Sequence, residues 1–133
     1  MVDGDRARIL VVDDDAGTRR SLTEILTRAG HEVIQAVDGL EASKIWPRME
    51  LDLVIMDLFM PEKDGIETIL ELQAFSRAIP IIAISGDAGS GSRFDMLRSA
   101  ELLGAVLSIE KPFTAARMLE AVRHALEGGQ QST

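Results

Sequence analysis

The chain has 133 residues, enough for one domain around one core, and 46% of them are hydrophobic, which excludes wholesale disorder. A formal net charge of −8 argues against direct nucleic-acid binding, which usually shows a clustered basic surface, and suits a divalent cation or a basic partner. Cysteine is absent, which excludes disulfides and thiolate metal sites. No apolar run approaches the roughly 20 residues of a membrane span, and Met1 to Arg6 lack the apolar core of a secretion signal, so a cytoplasmic protein without membrane insertion is expected.

Residues 9–12, Ile-Leu-Val-Val, form a short aliphatic run that reads as the first strand. Leu22, Ile25, Leu26 and Ala29 then follow the i, i+3, i+4, i+7 spacing of a helix with one buried face, closed by Gly30. Residues 33–37 read as strand two. Ala42, Ile45, Trp46 and Met49 repeat the helical spacing as a core face. Pro47 disfavours helical geometry at Trp46 and has no N–H, so it ends or kinks that helix. Residues 53–56 are strand three, and a third helix starts near Asp64 with Ile66, Ile69 and Leu70 as its apolar face. Residues 80–84 are strand four. Residues 90–103 make the weakest helix, with Gly89 and Gly91 at its start and Phe94, Leu97 and Leu103 as anchors. Residues 105–109 are strand five. Thr114 caps a last helix bearing Met118, Leu119, Val122, Ala125 and Leu126, which Gly128 and Gly129 end before a loose tail. His31 and His124 share no spacing with the acids and read as exposed. Arg19-Arg20, the only adjacent basic pair, reads as a solvated helix face.

Five strands alternating with five helices define an α/β fold with a doubly wound parallel sheet. Strands one and four are continuously apolar, as interior parallel strands are. Strand two carries Gln35 and strand five Ser108, which makes them the edges and matches the order 2-1-3-4-5. Ligands of such sheets bind at the carboxyl ends of the strands, at the switch point between strands one and three.

Polar residues stand at those ends: Asp13-Asp14 after strand one, Asp57 after strand three, Ser85 after strand four and Lys111 just beyond strand five. Carboxylates about 4 Å apart repel by roughly 4 kcal/mol at an effective dielectric of 20, so three converging need a cation or a proton. Mg²⁺ takes oxygen ligands and only one or two carboxylates. Asp13-Asp14-Asp15 also suits a plain helix start, with Asp15 or the Ala16-Gly17-Thr18 segment capping. A carboxylate at Asp57 can attack phosphorus, with Lys111 supplying positive charge and Ser85 a hydrogen bond. Lys111 also fits an ordinary surface lysine, unless a cis Lys111-Pro112 bond aims the amine inward. Ser85 also fits a turn before Gly86-Asp87. Neither G-x-G-x-x-G nor G-x-x-x-x-G-K-[ST] follows the first strand, so a dinucleotide fold and a P-loop lack support.

Four segments in order, Ile9-Leu10-Val11-Val12-Asp13-Asp14, Asp57-Leu58-Phe59-Met60-Pro61-Glu62-Lys63-Asp64-Gly65, Ala83-Ile84-Ser85-Gly86 and Lys111-Pro112-Phe113-Thr114, strongly resemble the receiver domain of two-component response regulators, particularly the single-domain chemotaxis type. The resemblance covers residues 7–127, leaving 1–6 and 128–133 as flexible termini. It implies a flavodoxin-like fold with the same strand order, so the edge reading is not independent of it. It further implies that Asp57 accepts a phosphoryl group from a phosphohistidine of a sensor histidine kinase or a histidine phosphotransfer protein. Asp13 and Asp14, Asp14 more directly, would hold Mg²⁺ with Asp57 and the backbone carbonyl of Phe59. Ser85 would turn toward the phosphoryl group and Lys111 would pair with one of its oxygens. The face made by the fourth helix, strand five and the last helix would then change, and the phosphoryl group would be lost slowly by self-hydrolysis. Phe59 and Asp87 stand where the family tunes water access. Ser108 occupies a position where the family often has Tyr or Phe, so output through a looser fourth helix is expected instead. Two other functions fit parts of the pattern. A haloacid-dehalogenase-type phosphatase also uses an aspartyl phosphate, Mg²⁺, Ser/Thr and Lys, but Gly17 stands where it needs Thr or Val, and no acidic pair follows Lys111. A phosphorylation-independent binding module would have no use for the intact set of acids and lysine.

Overall fold

Aliphatic runs too short for helices and buried on both sides pair into a sheet, and the amphipathic stretches between them cover its faces. A computed structural model describes residues 6–58, 65–86, 104–105 and 107–131. Its elements are β1 (Arg8–Val12), α1 (Ala16–Arg28), β2 (Glu32–Ala36), α2 (Gly39–Ile45), β3 (Leu53–Asp57), α3 (Gly65–Phe75), β4 (Ile81–Ser85), β5 (Leu107–Glu110) and a C-terminal helix (Ala115–Gln131). The helix expected over residues 90–103 lies outside the described residues, as do Phe59 and Asp87.

All five strands are parallel, in the order β2-β1-β3-β4-β5. The strands carrying Gln35 and Ser108 are the edges, as their polar residues require. Alternation along the strands divides the core in two. Leu10, Val12, Val54, Met56, Ile81 and Ala83 pack with Ala42, Trp46, Ile69 and Leu72 of the α2 and α3 side. Ile9, Val11, Leu53, Ile55, Ile82 and Ile84 pack with Leu22, Leu26, Met118 and Val122 of α1 and the C-terminal helix. Among the described residues no helix is long and apolar enough to cross a membrane.

Side chains set the helix ends. Asp15 caps α1 by accepting from the Thr18 amide, Asp38 caps α2 through the Glu41 amide, and the Thr114 hydroxyl accepts from the Arg117 amide. Gly30, at φ +98°, ends α1: its amide bonds the Thr27 carbonyl while the His31 amide bonds Leu26.

Five expectations need correction. Ala29 is exposed because it is the C-cap residue of α1, past the last helical turn. Met49 is exposed because α2 stops at Ile45, with Trp46 as its C-cap, so the helical register never reaches it. Leu70 is about half exposed, because α3 turns Thr68, Ile69 and Leu72 inward. Thr68 lies where a side chain on Gly39 would have to be, so the glycine leaves room for it. The C-terminal helix runs past Gly128 to Gln131. Gly128 is not left-handed there, and only that conformation makes a glycine a stop. Finally, His31 is half-buried, and its Nδ1 accepts the Ala7 amide at 3.0 Å. His124 is exposed as expected.

Candidate functional site

Strand register builds the site. Val12 pairs with Met56, so the next residues, Asp13 and Asp57, leave β1 and β3 side by side. Ser85 pairs with Glu110 at the ends of β4 and β5, and the following Lys111 amide donates to the Ser85 carbonyl at 2.8 Å. The Lys111-Pro112 bond is cis and the lysine points inward.

Carboxylate oxygens of Asp13, Asp14 and Asp57 lie within 4.8 Å of one another. Asp13 and Asp57 are buried, and Asp14 is exposed at the mouth. Lys111 Nζ stands 2.9 Å from Asp13 Oδ2 and 3.9 Å from Asp57 Oδ2. At formal charges, three carboxylates and one ammonium (−3 + 1) sum to −2 in the pocket. Asp13 Oδ2 is buried and, beyond its ion pair with Lys111, has no hydrogen-bond partner among the described residues. A concave all-oxygen set with an unfilled acceptor and a −2 charge fits a hard divalent cation. Ser85 is fully buried, and its hydroxyl donates to the Gly86 carbonyl at 3.2 Å.

The supporting loop is tightly bonded. The Asp13 amide donates to Ala36, and Asp13 Oδ1 accepts from the Asp15 amide at 2.9 Å. Asp15 caps α1, and its carboxyl lies below the usual range chiefly because the Thr18 hydroxyl and amide both donate to it. On the β3 side, the Leu58 amide donates to Ile84, and Gly65 opens α3 against the Asp57–Leu58 backbone.

Two residues escaped the sequence reading. Arg19 is half-buried, and its Nη1 donates to the Asp13 carbonyl at 2.6 Å, so only Arg20 of that pair is a solvated helix residue. Its signal was a cation one turn into the helix that follows the acids. Gly65 matters because a β-carbon there would strike the backbone of Asp57. Its signal was a glycine at a helix start, where it has no propensity advantage.

A flavodoxin-like α/β domain with an acidic, lysine-flanked pocket at its topological switch point is the class that fold and site define. The chain belongs to the response regulator receiver domain family, whose model matches residues 9–123. It is 32% identical to sporulation initiation phosphotransferase F of Bacillus subtilis over 116 residues, 87% of this chain and 90% of that protein. It is 35% identical to chemotaxis protein CheY of Thermotoga maritima over 116 residues, 86% of this chain and 93% of that one. The receiver domain of NtrX from Brucella abortus superposes with a TM-score of 0.83 at 32% identity, over 90% of this chain and 98% of that one. The chain spans only 36% of a protein-glutamate methylesterase/protein-glutamine glutaminase from Anaeromyxobacter dehalogenans, to which it is 40% identical over 129 residues, 90% of this chain.

Proposed function

We propose that this receiver domain is a phosphoryl-accepting switch, with Asp57 as acceptor and a sensor histidine kinase or histidine phosphotransfer protein as donor. The convergence of three carboxylates within 4.8 Å, with Lys111 Nζ in ion-pair reach of two of them, carries the reading. An Asp57 oxygen attacks phosphorus. The new O–P bond forms as the donor's N–P bond breaks, and the histidine nitrogen keeps the electron pair and takes a proton. Asp13, Asp14 and Asp57 would hold Mg²⁺, with the backbone carbonyl of Phe59 as a further ligand. When bound, Mg²⁺ supplies positive charge to the transferring oxygens. Lys111 then turns from Asp13 to a phosphoryl oxygen, and the Ser85 hydroxyl leaves the Gly86 carbonyl for another. Slow return follows when water attacks phosphorus and the Asp57 carboxylate leaves.

The phosphoryl group adds charge and acceptor oxygens at one strand end, so the two states differ in what they offer Ser85 and Lys111. The surface that changes is the one formed by the segment before β5, β5 itself and the C-terminal helix, and a downstream partner reads it there. Ser108, half-buried on edge strand β5, stands in place of an aromatic residue. Output therefore does not depend on ring rotation at that position. The absence of cysteine accords with a reducing, cytoplasmic setting.

The test is incubation with acetyl phosphate and Mg²⁺. About one hydroxylamine-labile phosphoryl group per chain is expected, absent in Asp57→Asn. Continuous phosphate release would point to a phosphatase instead. No incorporation would point to a binding module, and either result overturns the proposal.

A further inference from the structure

We infer that Arg19 is a positioning residue for the cation ligands, and that it acts by clamping the peptide that joins Asp13 to Asp14. The inference rests on the reading of Asp13, Asp14 and Asp57 as a Mg²⁺ site.

Asp14 is exposed, and its carboxylate takes part in no hydrogen bond or ion pair among the described residues. Its direction is therefore set by its own backbone. The amide side of that backbone belongs to the Asp13–Asp14 peptide, whose carbonyl accepts from Arg19 Nη1 at 2.6 Å, the short length of a charge-assisted bond. Arg19 is held in turn. Its Nε donates to Gln35 Oε1 at 3.2 Å on edge strand β2, and its amide bonds the Asp15 carbonyl at 3.0 Å. The planar guanidinium thus ties the loop after β1 to β2 from the first turns of α1. A lysine has no such fork and cannot hold both anchors. Asp13 needs no such help: its Oδ1 accepts the Asp15 amide and its own amide bonds Ala36. Arg19 is the part of the frame that acts mainly on Asp14.

The sign of its effect distinguishes this role from a plain electrostatic one. A cation near an empty carboxylate cluster repels an incoming Mg²⁺, so on charge alone its removal tightens Mg²⁺ binding. As a clamp, its removal weakens binding, because residues that orient metal ligands commonly govern about 10–100-fold of affinity.

Calorimetric Mg²⁺ titration of the whole chain tests this. Arg19→Ala should raise the Mg²⁺ dissociation constant about tenfold. Gln35→Ala, an exposed edge substitution, should raise it about two- to threefold, and the double variant should be no worse than Arg19→Ala. With acetyl phosphate, the Mg²⁺ needed for half-maximal phosphorylation of Arg19→Ala should rise by the same tenfold, while the rate at saturating Mg²⁺ stays within about twofold of wild type. Unchanged or tighter Mg²⁺ binding in Arg19→Ala overturns the inference, as does a double variant showing the full product of the two effects. Wild type that binds Mg²⁺, with Asp14→Asn that does not, keeps the reading of the site whatever Arg19 does. Wild type that takes up no Mg²⁺ removes that reading and the inference together.

Discussion

Gly65→Ala should damage both the fold and the placement of Asp57, the proposed acceptor. A β-carbon at Gly65 would lie 2.7 Å from Leu58 Cα and 3.0 Å from the Asp57 carbonyl carbon, and closer still to the Asp57 carbonyl oxygen. Ordinary contact begins near 3.4 Å, so relief of the Leu58 contact alone needs the backbone there and the start of α3 to separate by about 0.7 Å (3.4 − 2.7), and the closer Asp57 carbonyl oxygen needs more. Nothing there is the free end of a flexible side chain. Overpacking of this kind costs about 1–3 kcal/mol, and alanine returns about 0.5–1 kcal/mol of helix propensity. A net loss of about 1–2 kcal/mol lowers Tm by about 4–8 °C in a domain of this size. The same shift moves Asp57, where a misplacement of about 1 Å can cost about 100-fold in rate, so phosphorylation by acetyl phosphate should fall about tenfold or more. Gly128→Ala is the matched control. Nothing lies within 4 Å of its β-carbon, its φ is not positive and it is helical. Alanine there should stabilise by about 0.5 kcal/mol, raising Tm by about 2 °C. Wild-type melting and phosphorylation in Gly65→Ala would show that the close approach is not a constraint.

Lys111→Ala leaves the buried Asp13 and Asp57 carboxylates without their ammonium. Stripping a partner from a buried pair costs about 3–5 kcal/mol, and the partial exposure of Lys111 reduces this to about 1–3 kcal/mol. Melting without divalent ions should register the loss and Mg²⁺ should restore part of it; a variant as stable as wild type in chelator would refute the charge balance. Asp15 gives an acid-range signature. Its carboxyl is lowered in the fold by the Thr18 hydroxyl and amide, so its contribution is present above the unfolded carboxyl value near 3.8 and is lost as pH falls through the lower folded value. Tm measured from pH 6 down to pH 3 should fall further for wild type than for Asp15→Asn, which keeps an acceptor oxygen for the cap without titrating; parallel curves would rule the cap out as the source.

How much of this site was legible follows from how each residue reaches it. Asp13, Asp57, Ser85 and Lys111 each stand at or just beyond the end of an aliphatic run. In a parallel sheet the runs end on one edge, so position along the chain alone gathers them. Trp46 was readable as core for a similar reason, because its partners Ala42 and Ile45 share its helix face. Contacts that cross between elements without a hydrophobic period were not readable. Thr68 is buried where Gly39 makes room for it, while Leu70 of the same helix is half exposed. His31 sits where an exposed histidine is ordinary, but α1 ends so as to present its Nδ1 to the amide of Ala7. Arg19 looked like half of a solvated basic pair, because no periodicity marks a guanidinium that bonds a backbone carbonyl six residues earlier. In each case the deciding partner is a backbone group or a missing side chain, and neither leaves a residue type to recognise. The chemistry of this pocket is therefore written in its carboxylates and lysine. The precision with which they are held lies in Gly65, Arg19 and the backbone they touch, and substitutions there should alter affinity and rate while Asp13, Asp14 and Asp57 all remain in the chain.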